Sequence, residues 1–166
     1  MKRRIITAIV TILAVGALGL SAEAGAKKQV ARDFIIRGTV FCEITSFDQI
    51  SGWAGFNIVG ADGVATHTGR YTLEGSGELN LYTGYGYDDG TFIAANGDKI
   101  FWHGDISPGS VPSTATLSVT SNLGDPGTGR FDDLEGWFIA DLFDLEVDFS
   151  SMTMSFGLTG RGELTY

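Results

Sequence analysis

Thr91-Phe92-Ile93-Ala94-Ala95-Asn96-Gly97-Asp98-Lys99-Ile100-Phe101-Trp102 decides the fold class of this chain. β-branched and aromatic residues, which suit a pleated surface, run up to Asn96-Gly97 and away from it. The Asn-Gly pair predicts a two-residue type I′ turn, because both central positions need positive φ. The stretch therefore reads as a β-hairpin.

The same pattern extends in both directions. Between Ser113 and Ser121, Ala115, Leu117 and Val119 alternate with Thr114, Thr116, Ser118 and Thr120. Further on, Met152, Met154, Phe156 and Leu158 alternate with Ser151, Thr153, Ser155 and Thr159. Such alternation gives a strand one buried and one wet face. Phe34–Cys42 and Trp53–Val59 read as strands, Asp62-Gly63 as a tight turn, and Val64–Glu74 and Gly77–Thr83 as further strands. In the last, Leu79 and Leu81 share one face, and Glu78, Asn80 and Tyr82 the other. Residues 106–112, with Pro108, Gly109 and Pro112, read as a loop. No long segment has the 3.6-residue apolar period of a helix. About nine short strands without helices predict an all-β closed barrel or a sandwich, closure having the merit of removing exposed edges.

Residues 137–149 bear on function. Trp137, Ile139, Phe143, Leu145, Val147 and Phe149 share one parity, and Asp141 falls on it. An unbroken strand points Asp141 inward, where an unpaired carboxylate is costly and suited to acid–base work. A β-bulge near Asp141-Leu142 turns it outward instead. Both readings stand on the sequence. Arg37, in Ile35-Ile36-Arg37-Gly38, is a partner for an inward Asp141.

The chain opens with Met1-Lys2-Arg3-Arg4, an apolar run from Ile5 to Leu20, and Ser21-Ala22-Glu23-Ala24. Basic, apolar and small-residue regions in this order predict a secretory signal peptide over 1–24, cleaved near Ala24. The run is short for a bilayer span, which takes ~20 residues, so a free product, secreted or periplasmic, is expected. Residues 25–33 read as a flexible tail and 34–166 as a single domain. The lone Cys42 forms no intramolecular disulfide and, within Val40-Phe41-Cys42, reads as a buried thiol. The formal net charge of −9 includes the basic leader, so the remainder is more acidic still. That balance argues against nucleic acid and anionic membrane surfaces as partners.

One phrase recurs. Thr68-Gly69-Arg70-Tyr71-Thr72-Leu73-Glu74-Gly75 parallels Thr128-Gly129-Arg130-Phe131-Asp132-Asp133-Leu134-Glu135-Gly136. The expected device is structural: glycine makes a close turn, arginine reaches a carboxylate or carbonyl, and the aromatic plugs a barrel end. Gly127-Thr128-Gly129-Arg130-Phe131 resembles the Gly-Thr-Gly-[Arg/Lys]-Phe element of dirigent proteins and the allene oxide cyclase barrel superfamily. Ala65-Thr66-His67-Thr68-Gly69-Arg70-Tyr71 is similar to a run in exported bacterial proteins with that domain, and Asn96-Gly97-Asp98 completes the pattern. The resemblance covers roughly residues 34–165 and implies an eight-stranded antiparallel barrel with an interior cavity. In the plant relatives that cavity hosts cyclisation of a fatty-acid epoxide or guides the coupling of phenolic radicals. It also implies homo-oligomers, but fold alone assigns no activity.

Candidate side chains follow. Asp141 and His67 are the catalytic candidates, histidine being the side chain that exchanges protons near neutrality; His103 is a weaker one. Arg37, Tyr82, Trp102 and Trp137 are the ligand-binding candidates. Tyr82, Tyr85 and Tyr87, interleaved with Gly84 and Gly86, form an aromatic loop suited to stacking on sugars or to covering a barrel mouth. Asp125, Asp132, Asp133 and Glu135 flank a turn without the spacing of a calcium loop, and two histidines make no zinc pattern, so no metal and no cofactor is expected. The leading expectation is a secreted barrel holding a small apolar molecule. A cyclase or isomerase using the same cavity, and a structural or carbohydrate-binding module, are the alternatives.

Overall fold

The computed structural model describes residues 29–109, 117–123 and 127–166, the short middle segment as backbone only. The leader 1–24, the first part of the tail, residues 113–116 and Asp125 lie outside the described residues, as do the side chains of 117–121. The strands are β1 (Ala31–Phe47), β2 (Trp53–Ala65), β3 (Gly69–Asn80), β4 (Gly86–Ala94), β5 (Lys99–Pro108), β6 (Leu117–Leu123), β7 (Glu135–Asp148) and β8 (Thr153–Thr165). One 3₁₀ turn, Gly129–Phe131, precedes β7. Every strand is antiparallel to the next, and β8 pairs back onto β1 from Ala31↔Thr165 to Glu43↔Thr153, so strand pairing runs full circle.

Alternation fills the interior. On β1, Phe34, Ile36, Val40, Cys42 and Ile44 are buried while Ile35, Arg37, Thr39, Phe41 and Glu43 are exposed. A ring of eight strands is just wide enough for side chains to fill, and aromatic rings do so here. Phe34, Phe92 and Phe138 meet edge-to-face with centroids 5.6–6.0 Å apart. Such pairs add about 0.5–1.5 kcal/mol each beyond area burial.

The two ends differ. At one, Phe131 in the 3₁₀ turn is fully buried with Leu134 and Leu164, and its ring lies 5.5 Å from that of Tyr166. Gly129 there has φ +64°, a left-handed conformation that glycine adopts freely. Thr128 Oγ1 accepts from Lys99 N–H at 3.0 Å, and Arg130 lies 3.4 Å from Asp98 and stacks over Phe131. The earlier copy of the phrase sits at the same end: Gly69 has φ +70°, exposed Arg70 lies 3.4 Å from Asp62, and Tyr71 is buried. The opposite end, formed by the β1–β2, β3–β4 and β7–β8 turns, is the mouth.

Five local expectations are corrected. Asp62-Gly63 is no turn; both residues lie inside β2, opposite Thr39 and Gly38, where the β2–β3 register slips between Ile58 and Gly63. The reversal comes at Thr66-His67-Thr68, with His67 at φ +69°, so the expected strand Val64–Glu74 is cut in two. The Asn96-Gly97 hairpin exists, but its turn is not type I′: Gly97 has φ +87° and Asn96 is not left-handed. Gly97 N–H donates to the Ala94 carbonyl at 2.8 Å and Ala94 N–H to the Asp98 carbonyl at 2.9 Å, a three-residue loop closed by a left-handed glycine. Asn80 is buried rather than outward; its Nδ2 donates to the Ser51 carbonyl and its Oδ1 accepts from Tyr82 and Thr83 N–H, tying two mouth turns together. The tail is also shorter than expected, because Ala31-Arg32-Asp33 pair with β8.

Candidate functional site

Asp141 faces out. On β7 the buried residues are Phe138, Ala140 and Leu142, and Trp137, Ile139, Asp141 and Phe143 are exposed. A bulge does exist, between Phe143 and Glu146 with Asp144 at φ +52°, three residues later than expected. It reverses the parity, so that Leu145 and Val147 turn inward and the apolar series 137–149 is split between two faces. The outward setting removes the buried environment on which acid–base work by Asp141 rested. Arg37 is also on the outer wall: it pairs with Thr159, which pairs with Asp141, so the two lie about 10 Å apart by strand spacing on the wet face. Trp137, at 46 % exposure, stands on the same wall and lines no interior space.

His67 belongs to the plugged end. Its Nε2–H donates to the Asp33 carbonyl at 3.0 Å and its ring meets Tyr166 edge-on, a turn-locking role. His103 is exposed on β5, with Nδ1 hydrogen-bonded to Asp89; that bond, then the Asp89 charge, raises its pKa. Tyr82 is exposed at the mouth, its hydroxyl donating to the Gln49 carbonyl at 2.6 Å. Tyr85 and Tyr87 are exposed too. Asp132, Asp133 and Glu135 follow the 3₁₀ turn, and no group of three metal-ligating side chains occurs among the described residues.

The carboxylate that does enter the barrel is Asp88. β4 places Asp88, Gly90, Phe92 and Ala94 on one parity, and the hairpin fixes that parity as inward. Asp88 is 9 % exposed. Its direct partners across the sheet are Gly77 on β3 and Gly104 on β5, so neither paired residue sets a side chain beside it. Gly90 pairs with Trp102, and a Cβ there would collide with the indole ring. Glycine thus lets the Trp102 ring fold over β4, and the indole hydrogen-bonds to the Asp88 carboxyl. Asp88 Oδ1 has no partner among the described residues.

Around this carboxyl is a cavity of about 30 Å³, lined by apolar groups including Phe56, Phe92, Trp102, Phe138 and Phe156. That volume holds one or two waters. Leu145 lines both the cavity and an apolar groove at the mouth, where Phe47, Leu81, Phe149 and Met152 lie. Burial dominates the electrostatics and pushes Asp88 up to about 7; the Trp102 hydrogen bond opposes it, the Asp89 charge adds to it, and His103 opposes it. Cys42 is buried, and burial with the Asp88 charge pushes its thiol up to about 12, so it carries almost no thiolate at neutral pH.

The candidates thus separate. Trp102 lines the cavity and Tyr82 its mouth, Arg37, Trp137 and Asp141 lie outside, and His67 sits at the far end. Asp88 was missed because the Tyr-Gly segment before it read as a loop. Counting parity back from Asn96-Gly97 through Phe92 was the signal that could have found it.

No family model matches the chain, and no curated protein matches it. Among solved structures, that of a pterocarpan synthase dirigent protein is similar: 12 % identity, 82 % of this chain and 95 % of that chain covered, and a TM-score of 0.45.

Proposed function

We propose that this chain is exported and binds a small, mostly apolar molecule inside the barrel, admitted at the mouth and anchored by Asp88. The observation that carries the reading is the unpartnered Oδ1 of a buried carboxyl lining an apolar cavity. A buried polar atom without a partner costs about 1–3 kcal/mol, and a donor on a ligand relieves that cost. Ligands larger than two waters enter by displacing Leu145, Met154 and Phe156, which line the cavity and have soft or partly exposed side chains.

Proton magnetic resonance of the Trp102 indole N–H tests this, with hexan-1-ol as the probe. The account expects a saturable shift of that resonance and none in the exposed Trp137 indole. Equal, unsaturating shifts in both would overturn it.

A second reading has its own support. A carboxyl that titrates near 7 has the value an acid–base catalyst needs. A cyclase or isomerase acting on an apolar substrate would use Asp88 to give and retake a proton. Turnover abolished in Asp88→Asn with probe binding kept distinguishes catalyst from binder.

A further inference from the structure

We propose that the molecule taken at Asp88 is a small amine, bound as its ammonium with one N–H on Oδ1 and its apolar body against the aromatic lining. The inference rests on the binding reading above and narrows it to a ligand class.

The first argument is charge balance. Among the described residues that line the cavity, Asp88 ionises and no lysine, arginine or histidine accompanies it. The ionisable groups around it are Cys42 on β1, Asp89 on its own strand, and His103 and Asp105 on β5. Cys42 is a neutral thiol, Asp89 and Asp105 are acids, and His103 is exposed and already bonded to Asp89. From β2, β3, β7 and β8 the described lining residues are apolar, Phe56, Ile58, Leu79 and Leu142 among them. An ionised Asp88 therefore lacks a counter-charge inside the protein. A ligand bringing that charge restores the pair, a neutral ligand does not, and an anion adds repulsion.

The second argument is the wall. Trp102, Phe92, Phe56 and Phe138 present aromatic rings to the cavity, and the negative ring faces attract a desolvated cation. The third is encounter: a chain of net charge −9 concentrates cations around itself.

The coupling to protons is specific. Free Asp88 keeps its proton up to about pH 7, so ammonium binding releases it. Affinity rises with pH until the carboxyl is ionised, and falls again where the amine loses its own proton. Fractional ionisation alone makes binding about thirtyfold weaker at about pH 5.5 than at about pH 8.

Calorimetric titration of the full-length chain with hexylamine, hexan-1-ol and hexanoate tests the proposal. At about pH 8 hexylamine should bind at least about tenfold more tightly than hexan-1-ol, with hexanoate weakest. Asp88→Asn should erase that preference, hexylamine then binding no more tightly than hexan-1-ol. High salt should leave amine binding nearly intact, since a buried pair is little screened. If hexan-1-ol binds as well as hexylamine, the amine class is overturned and the cavity reading stands. If no probe binds, both fall. Amine binding that survives Asp88→Asn and disappears in salt is surface attraction and overturns the proposal. The pH series on the unaltered chain decides the matter even if the variant misfolds.

Discussion

Replacing Asp88 by asparagine should make the folded protein more stable at neutral and alkaline pH. The carboxyl has an ordinary value of 3.8 and is pushed up to about 7 when folded. Between those values the folded chain holds a proton that the unfolded chain has released. Raising the pH therefore favours unfolding, with a slope of about 1.36 kcal/mol per pH unit at its steepest. Above pH 7 the loss levels off. Two-state linkage puts the cost to the unaltered protein at about 2.5 kcal/mol between pH 5 and pH 8. Asparagine has nearly the same shape, keeps a hydrogen-bonding group for Trp102 and carries no charge to desolvate. Other groups titrate as well: His103, raised by Asp89, contributes stability that is present at low pH and lost as pH rises through its folded value. The Ser150 and Ser151 hydroxyls hold the Asp148 carboxyl at about 2, so it stays ionised throughout this range. Both groups are common to the two proteins and largely cancel in the difference. Urea denaturation of each at pH 5 and pH 8 gives that difference. Parallel pH dependence in the two proteins would refute the burial argument.

Three further outcomes follow from packing. Gly90→Ala should displace the Trp102 indole and cost about 1–3 kcal/mol, with tryptophan emission moving to the red; unchanged emission would contradict the close approach. Phe131→Ala empties the plug of the closed end and should cost about 3–5 kcal/mol in thermal or urea unfolding, whereas a loss under 1 kcal/mol would show that the plug is not closely packed. Cys42, with its thiol pushed up to about 12, should resist disulfide-exchange reagents at pH 8 until urea exposes it, and rapid labelling of the folded protein would be the contrary result.

The sequence was most readable where alternation was unbroken and least where one residue changed the parity. The β4–β5 hairpin follows from the β-formers around Asn96-Gly97. Met154 and Leu158 of β8 are buried as alternation predicts, but Met152, counted on the same face, stands exposed at φ +54° in the turn before that strand. β7 does not follow from alternation, because the left-handed Asp144 inserts a step that reverses every inference drawn across it. An aspartate gives little warning of this, since the position looks like one more outward acid. Asp62-Gly63 misled for the opposite reason: it has turn composition but stays in an extended strand paired with β1. At the site, an inward carboxyl was one of two readings of Asp141; that residue faces out, and the carboxyl that enters the barrel is Asp88 on β4. Its setting depends on Gly77 and Gly104 lying opposite it, which is a matter of register between distant segments.

The account rests most directly on Asp88 as an ionisable group in an enterable cavity. Carbon magnetic resonance of its carboxyl, titrated from pH 3 to pH 9 with and without saturating hexan-1-ol, measures both properties together. The account predicts a midpoint near 7 in the free protein and a displaced midpoint with the probe present. A midpoint in the ordinary carboxylate range, unmoved by the probe, would contradict it.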